Sequence, residues 1–340
     1  MIISKESKFA LVGHGYALYH LYHEFLKHNL KEPIIITHKK KFHLRDINES
    51  NNNKNLYRDI FELEEKTKVH YVSDINSQQI LDILKVNKVT HIFSISSRFI
   101  FKDRILNKFK NKIFNIHGTL LPEERGSGTY TYRIMNKKYF CAATIHMIEK
   151  NLDKGNIILQ SKKKKISKKS LPIDFIINTN KIYMDLIKKF SKIISNKKKI
   201  NIKIQKEVNA SYLPRFYTDR MGAINFQMDG RFIESFIKSC SKPYSGAFCY
   251  INYNKPLKIK IFNAKFIKGH SQHPFLFGKI YYQNKKQIKV IVKNGFLLIE
   301  LKNIKFYNIK GKLLFLGKTL YNNFLDLHYS KTLRTSVFDY

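Results

Sequence analysis

Along the first two hundred positions, short apolar runs alternate with stretches whose apolar residues recur every three or four places. KFALVGHG, EPIIITH, VHYV, THIFSISS and KIFNIHG have the length of buried strands and predict five of them. Between them, YALYHLYHEFLKHN, LYRDIFELEEKTK, SQQILDILKVN and KDRILNKFK carry the helical period, whereas KKKFHLRDINESNNNKN reads as a polar, basic loop. SGTYTYRIMNKKY predicts another helix, CAATIHMIEK and NIILQSKKKKIS two more strands, and PIDFIINTNKIYMDLIKKFSKIISN a long closing helix. From about residue 217 the period changes. One helix, DGRFIESFIKSC, precedes KPYSGAF and a series of strand-like runs, FCYINY, PLKIKIFNAKFI, FGKIYYQ, QIKVIVKN and FLLIELKNIKFY, with no helix between them. Strands joined by single helices need right-handed crossovers. The pattern therefore predicts an α/β fold with a doubly wound, Rossmann-like parallel sheet over residues 1–200. A linker is expected at 201–216, and a smaller C-terminal OB-like β-barrel at 217–325.

The candidate chemistry begins where the fifth strand ends. Residues i and i+2 of a strand share a face, so Asn115 and His117 emerge side by side. They do so at the carboxyl edge, where such sheets bind their ligands. Asp153 lies in the loop NLDKGN between the two later strands, and Gly155 lets the chain turn back. If the two strands neighbour each other, Asp153 can swing beside His117. An amide, an imidazole and a carboxylate together suit a reaction at a carbonyl carbon. Asn115 can donate to a developing oxyanion, His117 can polarise that oxygen or move a proton, and Asp153 can set the tautomer and charge of the imidazole. No obvious nucleophile accompanies them, so direct transfer to an incoming amine is expected rather than an acyl-enzyme.

Other signals add less. Gly13-His14-Gly15 opens like a dinucleotide fingerprint, but Leu18 replaces the third glycine, and a tight turn near a ligand is the better reading. Arg98, after Ser96 and Ser97 at the end of the fourth strand, is a candidate for an anionic group of the ligand. His146 reads as a core histidine of an alternating strand. No Cys/His/Asp grouping has metal-ligand spacing, and no metal is expected.

Composition constrains the partners more than the fold. The net charge of +38 invites a nucleic-acid role, yet only 10 of the 63 basic residues are Arg, and phosphate or base recognition favours Arg forks. The runs Lys39–Lys41, Lys162–Lys165 and Lys197–Lys199 are therefore expected to be solvated surface. Cys141, Cys240 and Cys249 are expected as reduced, buried thiols. No stretch approaches a membrane span, and the N-terminus lacks the apolar block of a signal peptide, so a cytoplasmic protein with no membrane partner is expected.

NIHGTLLPEERG followed by ATIHMIEKNLDKGNIILQ resembles the signature of the formyltransferases that use 10-formyltetrahydrofolate. SKPYSGAFCY, with DGRFIESFIKS before it, is similar to the C-terminal OB-like module of that family, so the resemblance spans most of the chain. It implies that Asn115, His117 and Asp153 form the catalytic triad, that Thr119, Leu120, Leu121 and Pro122 line the folate pocket, and that 10-formyltetrahydrofolate is the co-substrate. The chain departs from the family pattern at Glu123-Glu124, where basic or aromatic residues are usual. It departs also at Thr119, usually Ser, and at Lys154 and Asn156, usually Thr and Asp. These changes bear on specificity and leave the three catalytic positions intact. Two-domain members act chiefly on methionyl-tRNA or on amino-sugar nucleotides. The tRNA enzymes carry a basic loop with glycine and proline after the second strand, and THKKKFHLRDINESNNNKN has neither. HYVSDINS and KPYSGAF look closer to the amino-sugar branch. The expected acceptor is therefore the primary amine of a nucleotide-linked amino sugar. Methionyl-tRNA formylation is the alternative, and nucleic-acid binding by the basic OB-like domain, without catalysis, is a third reading.

Overall fold

The computed structural model describes residues 1–49, 60–253, 255–306 and 318–321, in two compact units. The first comprises Met1–Thr129, Phe140–Ser167 and Ile173–Pro214. The five apolar runs form β1 (Phe9–Gly13), β2 (Ile34–His38), β3 (Val69–Val72), β4 (His91–Ile95) and β5 (Ile113–His117). These pair in parallel in the order β3-β2-β1-β4-β5. Their side chains alternate between two covered faces, the arrangement that a near-continuous apolar strand requires. On one face Ala10, Val12, Ile92 and Ile113 pack with Ile80 and Leu84 of α4 (Gln78–Val86) and Ile105 of α5 (Asp103–Lys108). On the other, Phe9 meets Phe25 of α1 (Gly15–Lys27) edge-on, with ring centroids 5.0 Å apart. There Phe93 and Phe114 also lie 5.2 and 5.8 Å from Phe190 of α7 (Pro172–Ser195).

The chain passes from β1 into α1 through Gly13, at φ +136°, where a Cβ would lie 1.8 Å from the Ile95 carbonyl oxygen. Only glycine lets the end of β1 run that close to β4. The expected tight turn is present.

Two later strands, β8 (Thr144–Met147) and β9 (Ile157–Gln160), extend the sheet beyond β5. Both run antiparallel: β8 to β5 and β9 to β8, the last two joined by a hairpin too short for the helix of a parallel crossover. The basic segment after β2 is not all loop: α2 spans Lys40–Glu49. Its first turn is anchored by His43, fully buried with Nε2 3.0 Å from Thr37 Oγ1. The remainder of that segment, and the start of the helix expected at LYRDIF, lie outside the described residues, which resume before α3 (Phe61–Glu64). Four short strands complete this unit: β6 (Arg125–Gly126) pairs in parallel with β11 (Tyr212–Leu213), and β7 (Phe140–Cys141) antiparallel with β10 (Lys164–Lys165).

The second unit comprises Tyr130–Tyr139, Lys168–Pro172 and Arg215–Tyr340. The helix expected near SGTYTYRIM is α6 (Thr129–Met135). Here β12 (Ala247–Tyr253), β13 (Lys255–Ile261), β18 (Ile304–Phe306) and β19 (Leu320–Tyr321) form one four-stranded antiparallel sheet. A second contains β14 (Lys265–Lys268), β15 (Ile280–Gln283), β16 (Gln287–Val292) and β17 (Gly295–Glu300). The run PLKIKIFNAKFI thus splits between two sheets. An antiparallel bridge between Lys279 and Thr319 joins their edges. Short α8 (Thr218–Met221) precedes α9 (Gly230–Ser239), which starts at an Asp229 cap whose carboxylate accepts from the Arg231 amide. Ile233 and Ile237 of α9 enter the shared core with Ile251, Ile259, Val290 and Leu297. The expected end of this domain, at 325, lies outside the described residues.

The three cysteines are free and buried, and the three lysine runs are exposed. Among the described residues, no helix is long and apolar enough to cross a membrane.

Candidate active site

β5 alternates in burial: Phe114 and Ile116 are closed in the core, and Asn115 and His117 face partly open space. Its antiparallel partner β8 puts His146 directly opposite Asn115, and Thr144 opposite His117. Opposed residues of an antiparallel pair share a face. Asp153 returns to the same face on the hairpin between β8 and β9. That hairpin closes at Gly155, where a Cβ would stand 2.0 Å from the Met147 carbonyl oxygen. Asp153 itself sits at φ +55°, in the left-handed region.

The result is a four-membered polar cluster. His117 Nδ1 lies 3.8 Å from Asp153 Oδ2, and His146 Nε2 lies 3.6 Å from Asp153 Oδ1. The Gly126 amide donates to Asp153 Oδ2 at 2.8 Å. His117 Nε2 is 3.0 Å from the Glu124 carbonyl oxygen, which only accepts, so Nε2 carries a hydrogen. Nδ1 is then the nitrogen that gains or loses a proton, and it faces the carboxylate.

His146 is the member that sequence reasoning assigned to the core. It is 2% exposed, as that reading expects, but it does more than fill space. Its Nδ1 donates to the Met147 carbonyl at 2.7 Å, which leaves Nε2 to accept from the Asn115 amide at 3.0 Å. That bond orients Asn115, assigning one amide hydrogen to His146 and leaving the other for a ligand. The assignment holds only while His146 is neutral. Burial pushes this imidazole down to about 4; repulsion from His117 adds to the effect, and the Asp153 carboxylate opposes it. His91, also pushed down to about 4 by burial and Lys112, behaves alike.

Both rings ordinarily titrate near 6.5, so from there down to about 4 the unfolded chain binds more protons than the folded one. Their contribution is complete above about pH 6.5 and is lost as pH falls through 4. Urea midpoints are expected to drop across that window, and His146→Gln is expected to make the drop shallower; an unchanged slope would mean that His146 is not held neutral.

The residues expected to meet folate fall into two groups. Thr119 is buried, with its hydroxyl donating to the Glu124 carbonyl at 2.8 Å, and Leu121 is packed in the core, its peptide to Pro122 cis. Leu120 and Pro122 retain partial exposure and face outward from the same loop. Arg98 is exposed beyond β4, its guanidinium 5.7 Å from the Phe42 ring centroid of α2. The structure thus brings together Asn115, His117 and Asp153, adds His146, and sets Arg98 against α2. Among the described residues no group of side chains could hold a metal ion.

A formyl transferase family model matches residues 8–171, and a model of the formyl transferase C-terminal domain matches 217–310. The methionyl-tRNA formyltransferase of Finegoldia magna is 27% identical over 242 residues, 69% of this chain and 74% of that protein. The bifunctional polymyxin resistance protein ArnA of Wigglesworthia glossinidia brevipalpis is 27% identical over 290 residues, 80% of this chain but only 43% of the relative. Among solved structures, the N-formyltransferase from Helicobacter canadensis in complex with folinic acid and dTDP-3-aminofucose superimposes with a TM-score of 0.63 at 20% identity. That match covers 88% of this chain and all of the other. The two matched regions together place the chain among transferases of a one-carbon group. The chain is a member of the formyltransferase family.

Proposed function

We propose that this enzyme moves a formyl group from 10-formyltetrahydrofolate to the primary amine of a nucleotide-linked amino sugar, with Asn115, His117 and Asp153 as its catalytic residues. The observation that carries the reaction is the cluster itself: one unassigned amide hydrogen on Asn115, and the Nδ1 lone pair of His117 backed by a carboxylate at 3.8 Å. The folate supplies the activated formyl group. Leu120 and Pro122 offer it apolar contact, and Arg98 is a candidate for its anionic tail.

Asn115 donates its remaining amide hydrogen to the formyl oxygen as the amine nitrogen attacks and negative charge grows there. His117 accepts the proton shed by that nitrogen at Nδ1, becoming an imidazolium that Asp153 neutralises. When the bond to the departing folate nitrogen breaks, His117 returns the proton to it. The products are a formamide and tetrahydrofolate, and the imidazole is regenerated.

The acceptor assignment rests on the segment after β2. A tRNA enzyme is expected to carry a basic glycine- and proline-containing loop there, and this chain enters α2 at Lys40, two residues past the strand. The +38 charge and the relative from Finegoldia magna favour methionyl-tRNA instead. Turnover of 10-formyltetrahydrofolate, followed by the absorbance of the released folate, is to be measured with a panel of amino-sugar nucleotides beside methionyl-tRNA. Turnover with a sugar nucleotide only is the expected result; turnover with charged tRNA only would replace the acceptor and keep the reaction.

A further inference from the structure

The stretch between α7 and the second unit has the polar, lysine-rich composition of a linker, and residues 201–204 and 206–209 are exposed. Gln205 alone in that run is buried, at 8% exposure. Its amide nitrogen donates to the carbonyl oxygens of Asp153 at 2.8 Å and Gly155 at 2.7 Å, two residues apart in the hairpin turn. Its oxygen accepts from Arg125 Nε at 3.2 Å and Nη2 at 3.0 Å. A guanidinium only donates, so the amide orientation is fixed, and both hydrogens and both lone pairs are occupied. Arg125, 4% exposed, is held in turn by Glu207 through two bonds of 3.0 Å.

The segment is fastened at both ends. Lys203 and Ile157 exchange backbone hydrogen bonds at 2.8 and 2.9 Å. Past Gln205, the Ser211 carbonyl accepts from the Arg125 amide at 3.0 Å, and the Leu213 carbonyl accepts from the Ser127 amide at 2.8 Å. It is a strap across the hairpin that carries Asp153 and the segment whose Gly126 amide holds the Asp153 carboxylate.

We propose that Gln205 is a positioning residue for the reaction: it grips the hairpin so that the Asp153 carboxylate stays against His117. Asp153 occupies a left-handed backbone conformation, φ +55°, which side-chain-bearing residues adopt where their surroundings hold them there. Gln205 holds the carbonyl of Asp153 itself and that of Gly155, two residues on. Gly126, next to the Arg125 that orients Gln205, fixes the carboxylate. The kinetic part of the proposal rests on the formyl-transfer reading; the positional part does not.

Two variants separate the amide's donor and acceptor roles. Gln205→Glu keeps an acceptor for Arg125 and has, when ionised, no hydrogen for the two carbonyls. Gln205→Met removes both. In each, kcat is expected to fall about tenfold or more, with KM for 10-formyltetrahydrofolate within about twofold of wild type. Amide hydrogen exchange supplies a readout independent of turnover. The Gly126 amide is expected to exchange about tenfold faster in both variants, and the Arg125 and Ser127 amides, which bond to the strap, serve as internal references. A loss in Gln205→Met alone would show that the residue acts only through Arg125 and would overturn the proposal, as would unchanged kcat and unchanged Gly126 exchange in Gln205→Glu. If Gln205→Met does not fold, Gln205→Glu decides. Wild-type protein silent toward every acceptor would refute the reaction, and Gly126 exchange would still decide the role of Gln205.

Discussion

Asp153→Asn is expected to lower kcat by about 10²- to 10⁴-fold, the range associated with positioned acid–base groups, while the protein melts close to wild type. The amide oxygen can still accept from the Gly126 amide, so the hairpin keeps its anchor. The lost element is the charge. Without it the imidazolium formed at His117 Nδ1 has no counter-ion in a site where both side chains are about nine-tenths buried. An unpaired charge is far more costly there than in water. Proton uptake from the attacking nitrogen becomes uphill, and KM for the formyl donor stays near its original value because the donor meets other residues. Steady-state kinetics and a thermal melt together check this. A variant with wild-type kcat would remove Asp153 from the chemistry.

Asn115→Ala is the second large effect, about 10²- to 10³-fold in kcat, or roughly 3–4 kcal/mol, the usual consequence of deleting one oxyanion donor. The mechanism differs from that of Asp153. The bond to His146 Nε2 vanishes as well, so a buried imidazole nitrogen loses its donor. A modest drop in stability, about 1–3 kcal/mol, should therefore accompany the kinetic loss. Substrate binding measured at equilibrium should change little, since the donor acts on charge that exists only in the transition state. Equal losses in binding and in kcat would mean that Asn115 holds the ground-state ligand instead.

Much of this site was legible in the residues. Strand runs as apolar as FALVG and HIFSI have few alternatives inside a chain of this length, and they placed Asn115 and His117 at a carboxyl edge. Asp153 followed from a turn glycine between two further runs. His146 was harder. Its burial was readable from alternation, but its place opposite Asn115 depends on the register of β5 against β8, and one residue of slip would have turned it to the other face. Nor does connection length give the direction of that pair, because the stretch between β5 and β8 holds α6 and is long enough for a parallel crossover. The start of α2 was masked by its charge: Lys40, Lys41 and Arg45 look like loop, while His43 supplies the buried contact.

Gln205 carried no signal at all. A single buried amide among lysines has no periodicity, and the β6–β11 pairing that flanks it is only two residues long. Its meaning comes from partners 50 to 80 positions away in the chain.

That separation sets an order of events during synthesis. Asn115, His117, His146 and Asp153 have all left the ribosome while α7, 24 residues long, is still being made. The stretch that fastens their loops comes after it, and β11 closes on β6 only once Leu213 is free. The nascent chain therefore holds every residue of the cluster before it holds the strap. A product terminated before Gln205 would carry all four residues of the cluster and lack the strap that grips the Asp153 hairpin.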